Sequence, residues 1–206
     1  KVYKQTYEKG KTTSPLTEIG NARKTGSKTT FWPDPEIFDT TEYDYSTLEH
    51  RLREMAFLNK GIKITLKDER ERKKKEEDFH YEGGIREFVK YLNKNKETLF
   101  AEPIYVEGIK NGVTVEVAMQ YNDSYNELIL SFANNVRTED GGTHETGFKA
   151  ALTRVFNDYG KKYNILKDGD KKLSGEDVRE GLTAIISVKL TEAQFEGQTK
   201  SKLGNT

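Results

Sequence analysis

Near the end of the chain, "FEGQTKSKLG" (residues 195–204) sets Gln198 and Lys200 in a polar, glycine-flanked stretch directly after an apolar run. An ammonium and an amide donor on a loop at a strand end, with Gly197 allowing close approach, can stabilise the charge that grows on a transferring phosphoryl group. A lysine in a polar stretch near a terminus is ordinarily a solvated surface residue, and spacing alone does not overturn that. A second candidate is "EDGGTHETGF" (residues 139–148), where Gly141-Gly142 precede a helix and free amides with the helix dipole favour anions. Glu139, Asp140 and Glu145 would repel phosphate there, and no GxxxxGK[ST] pattern exists, so a capping turn with Thr143 as N-cap is preferred. His144 could titrate in that turn or serve as a hydrogen-bonding residue. "NARKTGSKTT" (residues 21–30) is hydroxyl-rich and fits a nucleotide pocket or a hairpin turn equally. The Glu176-Asp177 pair falls in the first turn of a helix, where the dipole already explains two carboxylates.

Other chemistries are excluded. Cysteine is absent, which removes disulfides, thiolate metal sites and cysteine nucleophiles and fits a reducing cytosol. His50, His80 and His144 are far apart in sequence and in no metal-ligand spacing, so no metal site is expected among these residues. No Ser-His-Asp order can be defended. The 34 basic side chains are balanced by 34 acidic ones, so any contact with nucleic acid must come from a local patch. No apolar run approaches the ~20 residues a membrane span needs, and the N-terminal "KVYKQTYEKG" has no signal-peptide core. A soluble cytoplasmic protein without membrane contact, or a piece of one, is the expectation.

The elements that must position these residues can be read in part. The first thirty residues alternate weakly around two turn segments and read as antiparallel strands; "KTTFWPD" reads as a short strand stopped by Pro33 and Pro35. Ser46 and Glu49 have the spacing of a capping box ahead of Leu48, Leu52, Met55 and Ala56, a helix that Gly61 ends. "GIKITLKDE" is a strand, and the following "DERERKKKEEDFH" has no apolar period, which predicts a solvated loop and a domain boundary. Ile85, Phe88, Val89 and Leu92 mark an amphipathic helix. Asn111-Gly112 joins two alternating segments as a type I′ hairpin, and "NELILSFAN" extends it as a meander with one buried face. Phe148, Ala151, Leu152, Val155, Tyr159 and Tyr163 place one long helix, Ser174 caps a short one, and "LTAIISVKL" is the last strand. A strand, a helix and a returning strand imply a right-handed crossover in an α+β layer.

Several strings carry more than their physics. "TGSKTTFWPDPEIF", "LREMAFLNKGI", "YEGGI", "QYND", "FANN", "GGTHETGF", "ALTR", "REGLTAIISVK" and "QFEGQTKSKLGN" stand in order along the whole chain. They resemble the ATPase module of bacterial type IIA topoisomerases, the B subunit of gyrase before that of topoisomerase IV. The resemblance implies that residues 1–80 are the C-terminal part of a GHKL ATP-binding domain and that residues 81–206 are a transducer of the ribosomal protein S5 domain 2-like fold. It implies a catalytic Lys200 that contacts the ATP γ-phosphate with Gln198, and a Ser27 hydroxyl that helps hold adenine through water. It places Lys149 toward a central DNA cavity. ATP and Mg2+ are the implied cofactors of the intact protein, with most of their ligands outside these residues, so this stretch alone would not hydrolyse ATP. The implied partners are the gyrase A subunit, a second copy of the B subunit and DNA, and the implied output is strand passage with negative supercoiling. The rival expectation is a non-enzymatic S5-like module gripping nucleic acid through Lys149, Lys161 and Lys162.

Overall fold

The computed structural model describes residues 1–70, 75–167 and 169–205. Two compact units are present, Lys1–Tyr45 and Ser46–Thr206. In the first, β1 (Val2–Lys4) pairs antiparallel with β4 (Thr17–Gly20), and β2 (Tyr7–Glu8) with β3 (Lys11–Thr12), as the weak alternation suggested. The ribbons are held by polar groups: the Thr6 hydroxyl lies 2.9 Å from those of Thr13 and Ser14, and Lys1 pairs with Glu18 across β1 and β4. "KTTFWPD" is not a strand. It finds no ladder partner among the described residues, and it ends instead in a turn capped by Asp34, which accepts from Glu36 N at 2.9 Å.

The second unit begins with α1 (Tyr45–Leu58), which already includes Tyr45, so Ser46 lies within its first turn and is not the N-cap. Strands β5 (Lys63–Asp68) and β6 (Lys75–His80) follow as an antiparallel pair. Much of the expected solvated loop is therefore strand; residues 71–74 lie outside the described residues. One face of the ribbon turns Ile64, Leu66 and the buried Phe79 inward, while the other is exposed and charged and so shows no apolar period. Charges do the pairing: Lys67 meets Glu76 directly opposite at 2.9 Å, and Lys63 meets Asp78 at 2.7 Å.

After α2 (Ile85–Leu92) come β7 (Ile104–Lys110), β8 (Val113–Tyr121), β9 (Leu128–Ala133) and β10 (Val136–Arg137). Asn111 and Gly112 both have positive φ, 51° and 77°, the requirement of the type I′ turn. Helices α3 (Thr143–Lys162) and α4 (Gly175–Arg179) lead into β11 (Leu182–Lys189), and a last hairpin is formed by β12 (Phe195–Glu196) and β13 (Lys202–Leu203). The strand order β10-β9-β11-β8-β7 corrects the meander. Strand β11 lies between β8, to which it is antiparallel, and β9, to which it is parallel, so α3 is the expected crossover.

Burial explains why β11 belongs in the middle. Seven of its eight residues are buried, the pattern of a strand covered on both faces. Ile185 packs with Phe57, Phe88, Val89 and Phe132 under α1 and α2. Leu182 and Ala184 pack with Leu152 of α3 and Val178 of α4 on the opposite side. The architecture is α+β, one mixed sheet between two helical layers. The long helix departs from its expected apolar face: Val155, Tyr159 and Tyr163 are each about half exposed. In that half the inner face is made by Asn157 and Gly160. Asn157 accepts from Leu173 N at 2.9 Å and donates to Leu173 O at 3.1 Å, so the following loop, not the sheet, covers the helix.

Candidate functional site

Gln198 and Lys200 lie at the tip of the β12–β13 hairpin, and both are exposed. The stem is closed by the Glu196–Lys202 ion pair at 3.1 Å and by Gly204 N donating to Gln194 O at 2.8 Å. Lys200 is held at φ 57, a left-handed conformation costing a non-glycine residue about 1–2 kcal/mol. Its amide reaches back to Gly197 O at 3.4 Å. The ammonium stands 5.8 Å from the Phe195 ring centroid and pairs with no carboxylate among the described residues. An unpaired cation on a closed hairpin is chemically fit for an anionic ligand.

The hairpin is seated on the segment that opens α3. Leu203 donates its backbone N–H to Gly141 O at 3.1 Å, Asp140 donates to Ser201 O at 2.9 Å, and Gly142 bridges to Leu203 in parallel. Leu203 is buried among Ala133, Val188 and their neighbours. This corrects the reading of the glycine pair. Gly142, not Thr143, is the N-cap, and no side chain caps the helix. The space beside Gly142 is filled by Leu203 backbone, so the helix start does not offer an open anion site. Ser174 does cap α4 as expected, within a capping box completed by Asp177.

Beyond Gly142 runs a polar network that sequence reasoning missed. The Ser131 hydroxyl donates to Glu145 at 2.7 Å, and that of Thr138 donates to Ser131 O at 2.9 Å. Thr138 Oγ1 must therefore accept from His144 Nε2 at 3.1 Å, which fixes the tautomer and leaves a buried Nδ1 lone pair without a partner. Burial pushes the His144 pKa below its ordinary value, against the opposing pull of Glu145. Lys149 is ion-paired: it sits 2.9 Å from Glu145 and 3.2 Å from Glu127, which Arg179 also binds at 2.5 Å. Burial alone would lower the Lys149 pKa, but the two carboxylates outweigh it and raise it. The i, i+4 spacing of Glu145 and Lys149 was the available signal; Glu127 comes from the β8–β9 connection and gave none.

Between α3 and α4 runs an open groove lined by Lys149, Arg154, Lys161, Lys172 and Arg179, with Asp158 the acidic residue among its lining. Ser27 lies in the first unit, exposed and outside any strand or helix. Among the described residues no cluster of His, Asp or Glu could hold a metal ion, and no helix is long and apolar enough to cross a membrane.

This fold is similar to that of the ATP-binding regions of bacterial gyrase B and topoisomerase IV. The 43K ATPase domain of Thermus thermophilus gyrase B, solved with an aminocoumarin, matches with a TM-score of 0.82 at 40% identity, over 98% of this chain and 55% of that one. The topoisomerase IV ATP-binding domain of Francisella tularensis, solved with a small-molecule inhibitor, matches at 0.76 and 30%, over 98% of this chain and 55% of that one. The chain belongs to the DNA gyrase B family, whose sequence profile matches residues 84–206. It is 66% identical over 206 residues to the DNA gyrase B protein of Clostridium acetobutylicum, covering 100% of this chain and 32% of that protein. For the DNA gyrase B protein of Bacillus mycoides the identity is 58% over 207 residues, covering 100% and 51%. The chain thus spans about a third to about a half of these relatives' length.

Proposed function

We propose that this chain is the part of a gyrase B ATPase module that converts ATP binding into movement of DNA in the cytoplasm. Residues 1–80 complete a GHKL ATP-binding domain and residues 81–206 form the transducer; α1, β5 and β6 belong functionally with the former although they pack in the second compact unit. Lys200 acts catalytically, its ammonium and the Gln198 amide contacting the γ-phosphate, while the Ser27 hydroxyl holds adenine through water. The observation that carries this reading is Lys200 itself, an exposed cation with no carboxylate partner among the described residues, held at positive φ on a hairpin rooted in the core. Strain of that kind persists where the surroundings over-determine it, and it clusters at functional positions.

The contact exists with a triphosphate and not after the outer phosphate leaves, so it supplies the differential affinity that a conformational change requires. Mg2+ would bind with the nucleotide, and no cluster of His, Asp or Glu among the described residues is placed to hold it. When bound, Mg2+ would supply charge neutralisation at the phosphates; the part played by this chain is to place the Lys200 ammonium against them as one more positive charge. The output is closure of a gyrase B dimer on DNA and strand passage with the gyrase A subunit. DNA phosphates meet Lys149 and the basic groove beside it. In full-length gyrase B assembled with gyrase A, Lys200→Ala lowers ATP turnover by orders of magnitude while nucleotide affinity changes much less. Near-normal turnover rejects the role.

A further inference from the structure

We infer that the close contact of Gly142 with Leu203 is the joint through which the Lys200 hairpin positions helix α3, so that phosphate contact and DNA contact share one equilibrium. The inference rests on the roles proposed above for Lys200 and Lys149.

The joint has little slack. A Cβ on Gly142 would stand 2.5 Å from Leu203 O and 2.7 Å from Leu203 N, both backbone atoms that cannot rotate away. Gly142 also has φ 142, a conformation that a side chain disfavours. On one side of the contact, Leu203 follows Lys200 closely in the chain, and the stem between them is closed by the hydrogen bonds already described. On the other, Thr146 N donates to Gly142 O at 3.0 Å, so residue 142 is part of the first turn of α3. That turn carries Glu145, which grips both Ser131 of β9 and Lys149. A shift of Leu203 toward a bound phosphate must carry residue 142 with it, or break the Leu203–Gly141 hydrogen bond. The consequence reaches Lys149 within two turns of helix.

Restoring an ordinary 3.4 Å contact from 2.5 Å moves the stem by about 0.9 Å. A misplacement near 1 Å at a reacting group can cost on the order of 100-fold in rate. Coupling between two ligands is reciprocal and typically amounts to about 5- to 150-fold in affinity. DNA should therefore tighten a triphosphate that reaches Lys200, and leave a diphosphate unaffected.

The test uses full-length gyrase B assembled with gyrase A. Affinities for a non-hydrolysable ATP analogue and for ADP are measured with and without a DNA duplex. In the wild type, DNA tightens the analogue at least about fivefold and ADP hardly at all; in Gly142→Ala the ratio for the analogue falls to about one while the ADP affinity stands. The titrations are run where circular dichroism shows each variant fully folded, so that a merely destabilised variant keeps the wild-type ratio. Gly147→Ala, a substitution on the same helix into open space, keeps it too. If Gly142→Ala does not accumulate as folded protein, Leu203→Ala loosens the stem without a clash and lowers the ratio in the same direction. A wild-type ratio of one, or a wild-type ratio retained in Gly142→Ala or its substitute, overturns the joint. Lys200→Ala separates the two levels: if its ATP turnover stays near normal, the reading of Lys200 fails, and the joint with it; if turnover collapses while Gly142→Ala keeps the wild-type ratio, the joint alone fails.

Discussion

A proton arriving at His144 would have to settle on a buried nitrogen that has no hydrogen-bond partner among the described residues. The other nitrogen is committed to Thr138, whose own proton is committed to Ser131. The folded chain therefore holds the ring neutral, with a pKa below the ordinary 6.5, whereas the unfolded chain titrates at the ordinary value. Between the two values the unfolded state binds more protons, so stability rises with pH across that window. The contribution is complete above about pH 6.5 and is lost progressively as pH falls below it. Thermal unfolding followed from about pH 8 to about pH 5 should show a midpoint that is flat and then declines on the acid side. His144→Gln keeps a donor for Thr138 but does not titrate, and should flatten the decline; an unchanged slope assigns it to another group. Lys149 teaches a related lesson at the same scale. Its type and place suggest a charge waiting for phosphate, yet two carboxylates hold it, so DNA must displace or share those partners.

Among the elements, local chemistry made itself legible and long-range pairing did not. Asn111-Gly112 announces its turn because two positive φ values within two residues demand those side chains. Ser174 announces α4 because its cap is made three residues away, and Ile85, Phe88 and Val89 announce α2 because one period places them all in the core. Placing β11 between β8 and β9 needs contacts 50 or more residues apart, which no window over the sequence contains. The seating of Leu203 on Gly142 is hidden for the same reason. Lys200 and Gln198 were found through family strings; their polar setting alone left a solvated loop open. Context also sets the sign of a substitution. Gly112→Ala puts a side chain at φ 77 and should destabilise the unit by about 1–2 kcal/mol. Gly147→Ala, exposed within α3 and free of neighbours, should stabilise it by about 0.5–1 kcal/mol. Denaturant unfolding of the two variants checks both; equal signs would show that backbone conformation does not govern these positions.

For the molecule as a whole, a net charge of zero conceals an uneven distribution. Five cations line the groove between α3 and α4, with Asp158 the acidic residue among them. If DNA lies along that groove, each phosphate contact releases condensed counterions, and log affinity falls with log salt at a slope of about −0.9 per contact. Lys161→Glu with Lys172→Glu should weaken binding similarly for all sequences and make the slope shallower by about two, as measured by titration across salt concentrations. An unchanged slope would place the DNA elsewhere. The topology of the mixed sheet also bears on how the protein is made. Leu182–Lys189 is the last of the five strands to be synthesised, yet it is the central one. A nascent chain leaving the ribosome carries β8 and β9 with unzipped flanks until that segment slots between them. Open flanks of this kind are where growing chains adhere to one another, so the interval before β11 arrives is when a chaperone has most to shield.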